Sequence, residues 1–277
     1  MSLTAALVLA SALLHAIWNT AAKSVGDRWV SSALMGCGYL IAGLVTVLLR
    51  PAPDPASWPF LITSAVLQVV YLLLLTSAYQ HGDMNRLYPL IRGLDPLLVS
   101  IVALTVLGEQ ISGWALFGIG MLCAGLAVLA LGRGLPKRGE GIGLALLTGC
   151  CIAAYSLVDG IGVRHSGEAI GYAGWMFLIQ APLLIITARL RGGADLPVRM
   201  RPHAVKGIVG GLLSFLTYGI VVWAQNRMPL SMVAALRETG VVWAVLLGTV
   251  LLRERLSRRG VVAAGLALAG AMLVDLT

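Results

Sequence analysis

Arg92 and Arg237 are the residues of this 277-residue chain most in need of a chemical explanation. Each lies about six residues inside an apolar run long enough to cross a bilayer, roughly 9 Å along a helix axis from its entry. Even on a lenient insertion scale, an ionisable group at that depth costs about 2.5–3.5 kcal/mol, so it needs a partner or a task. Two such cations can hold an anion between them. Asp95 follows Arg92 by three residues on the same helical face, so the spacing pairs them within one helix, as a structural ion pair or as part of the site. Glu238 adjoins Arg237 but is turned from it by about 100°. It is harder to neutralise locally and is the candidate proton-coupling group.

Around these charges stand residues suited to lining a solute path. His15 and Asn19 are four apart and share a face with Trp18 nearby, and Tyr88 precedes the charged turn of the fourth run. Tyr155 and Ser156 are the internal counterparts of Trp18 and Asn19. Gln68, Tyr71, Gln180, Thr217 and Tyr218 are further lining candidates, and Asp159, near the end of its run, is expected at the interface. Tyr88-Pro89 and Asp95-Pro96 bracket Arg92, and a proline removes a helical hydrogen bond, so the fourth span is expected to be broken around its charged turn. Glu109 and Glu254 stand in tight turns before the fifth and tenth runs, where a carboxylate favours a helix N-terminus.

The elements that must position these groups follow from composition. Only 12% of the residues are charged and 58% are apolar, against about a quarter charged in a soluble domain. Apolar runs fall at about 3–22, 30–49, 58–80, 87–106, 113–131, 141–160, 169–188, 204–225, 231–251 and 260–276, each long enough to span a bilayer core. Lipid cannot satisfy open backbone groups, so runs of this length must be helices. The fold expected is an all-α integral membrane protein of ten transmembrane helices, with no room for a soluble catalytic domain. The first run lacks a basic n-region and carries His15, Trp18 and Asn19, which argues for a retained helix rather than a cleaved signal.

Sliding the chain against itself reveals a duplication. At an offset of 145, Gln80 falls on Gln225, Arg92 on Arg237, Leu107–Ser112 on Leu252–Ser257, Gly120 on Gly265 and Gly125 on Gly270. Nearer the N-terminus an offset of 137 places Trp18-Asn19 on Tyr155-Ser156. The halves are 1–138 and 139–277, each a five-helix unit. Five is odd, so the second copy enters from the opposite side, giving inverted repeats, the architecture of alternating-access carriers. Glycines in spans five, eight and ten, including Gly113, Gly118, Gly120, Gly210 and Gly265, are expected to let helices approach closely.

The net charge of +8 could suggest nucleic acid, but the 20 Lys and Arg are scattered in short loops, so no nucleic-acid partner is expected. Counted by loop, with Lys206 at the edge of its run taken with the adjoining loop, 15 fall in odd-numbered loops and three in even ones, which by the positive-inside rule places both termini outside. Cys37, Cys123, Cys150 and Cys151 have no zinc or redox spacing and are read as small core residues. No metal, no cofactor and no Walker A loop is indicated, and the histidines do not cluster as ligands.

Leu14-His15-Ala16-Ile17-Trp18-Asn19, Tyr88-Pro89-Leu90-Ile91-Arg92-Gly93 with Pro96, and the Gly108-Glu109 and Arg253-Glu254 turns, set in the ten-span duplicated layout, resemble EamA-type carriers of the drug/metabolite transporter superfamily. The resemblance covers nearly the whole chain. It implies ten helices around a central cavity in the inner (plasma) membrane, and secondary transport of a small metabolite. Sugar-phosphate translocators of that superfamily hold anions on spans four and nine, which by analogy falls near Arg92 and Arg237. Relatives usually keep both termini in the cytoplasm, opposite to the charge count. The function expected is secondary transport of a small anionic or zwitterionic metabolite by alternating access, with candidate proton coupling; oligomeric state, monomer or homodimer, is left open. The alternatives are an intramembrane lipid-modifying enzyme, for which no Gly-x-Ser-Gly or Gly-x-Gly-Asp motif is present, and a lipid flippase.

Overall fold

The computed structural model describes residues 2–23, 25–82, 84–131, 141–240, 242–243 and 258–275, with the side chains of 18–23, 84–86, 131 and 275 outside that description. Among the described residues every regular element is helical. The long helices are α1 (Leu3–Lys23), α2 (Arg28–Leu49), α3 (Trp58–His81), α4 (Met84–Thr105), α5 (Gly113–Leu131), α6 (Ile142–Arg164) and α7 (Ala169–Gly192). They are followed by the short α8 (Leu196–Met200), then α9 (Ala204–Gln225), α10 (Leu230–Arg237) and α11 (Arg258–Asp275).

Among the described residues, seven helical segments are long and apolar enough to cross a membrane: Arg28–Leu49, Pro55–His81, Leu87–Thr105, Gly113–Ala130, Ile142–Arg164, Ala169–Gly192 and Leu196–Gln225. The chain is a multi-pass membrane protein. Of the other three expected spans, the first is met by α1, whose apolar stretch Leu3–Ile17 is shorter. The tenth is met by α11, which carries Arg258, Arg259 and Asp275. The ninth divides after Arg237, and residues 244–251 lie outside the described part. Large apolar side chains stand exposed along the helices, as at Leu44, Leu48, Ile62, Trp114, Phe117 and Met272, the outward face that hydrocarbon covers at no cost.

The chain forms two compact units, each assembled from separate stretches of sequence. The first comprises Met1–Ala12, Val70–Leu157 and Arg227–Thr277; the second comprises Leu13–Val69 and Val158–Asn226. In the first, α5 packs on α11 and on α4, and α10 packs on α4, α5 and α11. In the second, α2 packs on α7, α8 and α9.

Small residues set the closest approaches. A methyl group added at Gly38 of α2 would stand 2.6 Å from the Ile208 carbonyl oxygen and 2.8 Å from Gly211 Cα of α9; one at Gly118 of α5 would stand 2.6 Å from the Gly270 carbonyl oxygen of α11. At Gly113, Gly120, Gly210 and Gly265 it would meet nothing within 4 Å, so close packing does not explain those glycines. Accordingly, Gly38→Ala should lower the thermal unfolding midpoint in detergent, at a cost of about 1–3 kcal/mol. Gly265→Ala should leave it unchanged or raise it by up to about 1 kcal/mol through helix propensity. Equal effects at the two positions would refute this packing account.

Helix starts are fixed by carboxylates. Asp27 caps α2, accepting from the N–H groups of Trp29 (2.9 Å) and Val30 (3.3 Å), and it also pairs with Arg199 of α8. Glu168 caps α7 by accepting from the Gly171 N–H. Of the cysteines, Cys151 is buried, Cys37 and Cys123 are half-buried, and Cys150 is exposed rather than a core residue, because it lies on an outward face of α6.

Candidate functional site

The site is built from α4 and α10, which run antiparallel in the first unit. Leu230 and Ala234 of α10 pack with Val99 and Ala103 of α4, together with Ala153 of α6. Positions 230, 234 and 237 lie along one helical stripe, and so do 103, 99, 95 and 92. Continuing the two stripes in opposite directions carries Arg237 to Asp95 and Glu238 to Arg92.

The ion pairs are therefore crossed between helices. Arg237 Nη2 donates to Asp95 Oδ2 at 2.5 Å, and Arg92 Nε lies 3.0 Å from Glu238 Oε2. The expected Arg92–Asp95 pair within α4 is replaced, because the packing of α10 offers each α4 charge an opposite charge of better geometry. Glu238 is likewise neutralised, by Arg92 rather than by its neighbour Arg237, whose Nε is 3.8 Å from Glu238 Oε1. Side-chain exposure is 0% for Asp95, 2% for Glu238, 8% for Arg237 and 13% for Arg92. At such burial, opposite charges in contact offset a desolvation penalty that neither could bear alone.

Ser156 completes the cluster. Its hydroxyl lies 3.2 Å from Asp95 Oδ1 and accepts from Arg237 Nη2 at 3.3 Å. α6 reaches α4 closely because Gly149 is small: a methyl group there would stand 2.8 Å from Leu94 Cβ. Gly149, Ala153 and Ser156 share one face of α6, at spacings of four and three. Ser156 carries a sequence signal only as the repeat counterpart of Asn19; its role became visible once α6 was laid against α4 and α10.

The break expected in α4 lies elsewhere. α4 is continuous through Pro89 and Pro96, whereas α10 stops at Arg237 after eight residues. The Glu238 N–H bonds to the Ala235 carbonyl (3.0 Å) and the Thr239 N–H to the Leu236 carbonyl (3.2 Å), both three-residue steps, before helix resumes at Gly240. Thr239 Oγ1 also donates to the Leu236 carbonyl at 2.7 Å, a second hydrogen bond to an acceptor at the break. The α4 prolines are tolerated because packed neighbours in a membrane helix re-satisfy the freed groups.

Glu109 secures the other end of α10. Its carboxylate accepts from the Leu230 N–H (2.8 Å), the Ser231 N–H (3.4 Å) and the Ser231 hydroxyl (3.2 Å). The sequence reading seats Glu109 at a helix N-terminus in the turn before α5. The structure gives it to α10 instead, since Ser112 Oγ already accepts from the Ala115 N–H at 3.1 Å near the α5 start. Its repeat counterpart Glu254 lies outside the described residues. Glu109→Ala should lower stability by about 0.5–2 kcal/mol, the range for a lost helix cap, and Glu109→Gln by less because one acceptor oxygen survives. Equal losses in a denaturant titration of the two variants would refute the capping role.

The remaining predicted residues fall as follows. Tyr155 on α6 is buried and meets Tyr71 of α3 edge-on, with ring centroids 5.8 Å apart. Tyr88, on α4 one turn before Arg92, is half-buried and within electrostatic reach of it. His15 is half-buried on α1 in the second unit, and the side chains of Trp18 and Asn19 are outside the described residues. Also in the second unit, Gln68 Nε2 donates to Ser64 Oγ at 3.1 Å, and Thr217 Oγ1 to the Leu213 carbonyl at 2.7 Å. Gln180 is buried on α7. Asp159 is fully buried rather than interfacial, because α6 continues to Arg164; it accepts from the hydroxyls of Tyr218 (2.7 Å) and Tyr172 (3.3 Å).

The EamA-like transporter family matches this chain twice, over residues 2–131 and again over 139–275. The chain belongs to that family. As an EamA-like protein it has the two-repeat organisation of a membrane transporter. No curated protein matches it significantly. A solved structure described only as "Crystal structure of protein" is similar to it in fold, with a TM-score of 0.80 over 99% of each chain at 22% identity.

Proposed function

We propose that this EamA-like protein is a secondary, non-ATP-driven carrier of a small polar metabolite, anionic or zwitterionic, bound at Arg92 and Arg237. In this reading the repeats 1–138 and 139–277 are inverted five-helix halves, ten spans in all, that alternate access to a central cavity. His15, Tyr88 and Tyr155 line the solute path in this reading, with Trp18 and Asn19, whose side chains lie outside the described residues, as further candidates, and Asp95 and Glu238 hold the arginines while it is empty.

The observation that carries the reading is the closed set of two guanidiniums and two carboxylates on α4 and α10, buried in a chain of a transporter family. An intramembrane site for a charged solute must be stable when empty, and crossed ion pairs provide this, since each arginine has a carboxylate in the place a solute anion would take. The interruption of α10 at Arg237–Glu238 supports the same reading, because discontinuous helices in carriers place backbone and side-chain polar groups at the solute.

Counterflow in liposomes tests it. Purified protein should exchange a labelled amino acid, phosphonate or sugar phosphate without altering it chemically. Recovery of a chemically modified solute would make the protein an enzyme, and lipid scrambling without solute exchange would make it a flippase; either result overturns the proposal.

A further inference from the structure

The two arginines of the site are held unequally. Arg237 is fixed by Asp95 and by Ser156, and both oxygens of Asp95 are engaged, Oδ2 by Arg237 and Oδ1 by Ser156. Among the described residues the ion pair of Arg92 is the one from its Nε to Glu238 Oε2, and it is the more exposed of the two arginines. Glu238 Oε1 is buried and accepts no hydrogen bond among the described residues. The weaker pair thus contains the more accessible guanidinium and a carboxylate whose second oxygen accepts no hydrogen bond among the described residues, with Arg237 Nε 3.8 Å away.

We infer that a monovalent anion binds this site together with one proton, the anion taking Arg92 from Glu238 and the proton settling on Glu238 Oε1. The inference rests on the reading of Arg92 and Arg237 as the solute site. Charge conservation in a buried place is the reason. Empty, the cluster holds two cations and two carboxylates and is neutral. Adding an anion alone would leave one uncompensated negative charge at low dielectric, a state that proteins avoid by neutralising a group. With Glu238 protonated, Arg92 faces the anion, Arg237 faces Asp95, and the cluster is neutral again.

The other groups around Glu238 do not offer the proton a better seat. From α4 it meets Arg92, with Asp95 and Tyr88 nearby; from its own segment comes Arg237. Cys123 of α5 lies within its electrostatic reach, and Tyr155 of α6 and Tyr71 of α3 stand about the arginines. Phenol and thiol groups enter this cluster as proton donors rather than as open acceptors of charge, and the Asp95 oxygens are both in use. In transport terms the anion and proton move together, and the loaded and empty site carry the same charge.

The experiment uses purified wild-type protein with acetate and with methanesulfonate, neither of which titrates near neutrality. Binding is read from thermal stabilisation over about two pH units, and proton uptake from an indicator dye in weak buffer. Coupled uptake makes affinity rise as pH falls, by up to about tenfold per unit, with about one proton taken up per anion bound. Glu238→Gln should bind more tightly at high pH and lose the pH slope. Binding with no pH slope and no proton uptake, or a slope that survives Glu238→Gln, overturns the co-binding while leaving the anion site in place. Absence of binding by either anion, or binding that survives Arg92→Ala, overturns both the co-binding and the site. The wild-type proton count is decisive even if the Gln variant does not fold.

Discussion

Replacing Arg237 by methionine is expected to cost about 3–5 kcal/mol of stability, because Asp95 would be left with a buried charge and, among the described residues, Ser156 as its remaining hydrogen-bond partner. Asp95→Leu should cost a similar amount by stranding the guanidinium. The double variant Asp95→Leu/Arg237→Met should recover most of the loss, since an apolar pair of comparable volume can replace a buried ion pair at little net cost. In denaturant titrations in detergent this gives a large positive coupling between the two positions, which are in direct contact at 2.5 Å. The rescued double variant should still fail to exchange solute, because it lacks the arginine. Additive losses in the double variant would show that the pair is not the interaction described. Recovered stability with full transport would remove Arg237 from the site.

Arg92→Ala is expected to act on binding more than on folding. Its partner Glu238 can neutralise by taking a proton, so the variant need not keep a buried charge, and the stability loss should be smaller than at Arg237. Solute affinity should fall much further. Truncating one partner of a buried, hydrogen-bonded charge pair costs about 2–5 kcal/mol, or about 30-fold to several thousandfold in Kd. Arg92→Lys should rescue part of this, because it restores the charge without the planar fork of donors. The measurement is the concentration of solute giving half-maximal counterflow, set against the thermal midpoint of the same preparations. A large fall in midpoint with unchanged half-saturation would reverse the assignment and make Arg92 the structural partner and Arg237 the solute residue.

Much of the molecule was legible in the sequence because the signals are local. Apolar run length specifies membrane helices, as the seven spanning segments bear out, and a cost per buried charge singles out Arg92, Asp95, Arg237 and Glu238 before any coordinates exist. The duplication is equally local, a matter of rare residues recurring at a fixed offset, and the family matches the chain in two stretches. Local rules miss outcomes that packing between distant segments decides. Spacing of three made Asp95 the obvious partner of Arg92. Adjacency to a turn assigned Glu109 to a helix start in its own hairpin, when it caps α10 across 121 residues of sequence. Proline chemistry put a break in α4, and distance from a run's end put Asp159 at the interface.

Run length, composition and internal repetition are properties of the chain alone, and they specify a two-repeat membrane transporter with two arginines and two acids inside its apolar runs. Which acid pairs with which arginine, where the helix opens and what holds α10 in place follow from packing. The physical reason is register. Helical periodicity fixes which side chains share a face, but it is silent on how far one antiparallel helix slides along another. That offset is set by Leu230 and Ala234 seating on Val99 and Ala103, and it hands Asp95 to Arg237 and Glu238 to Arg92.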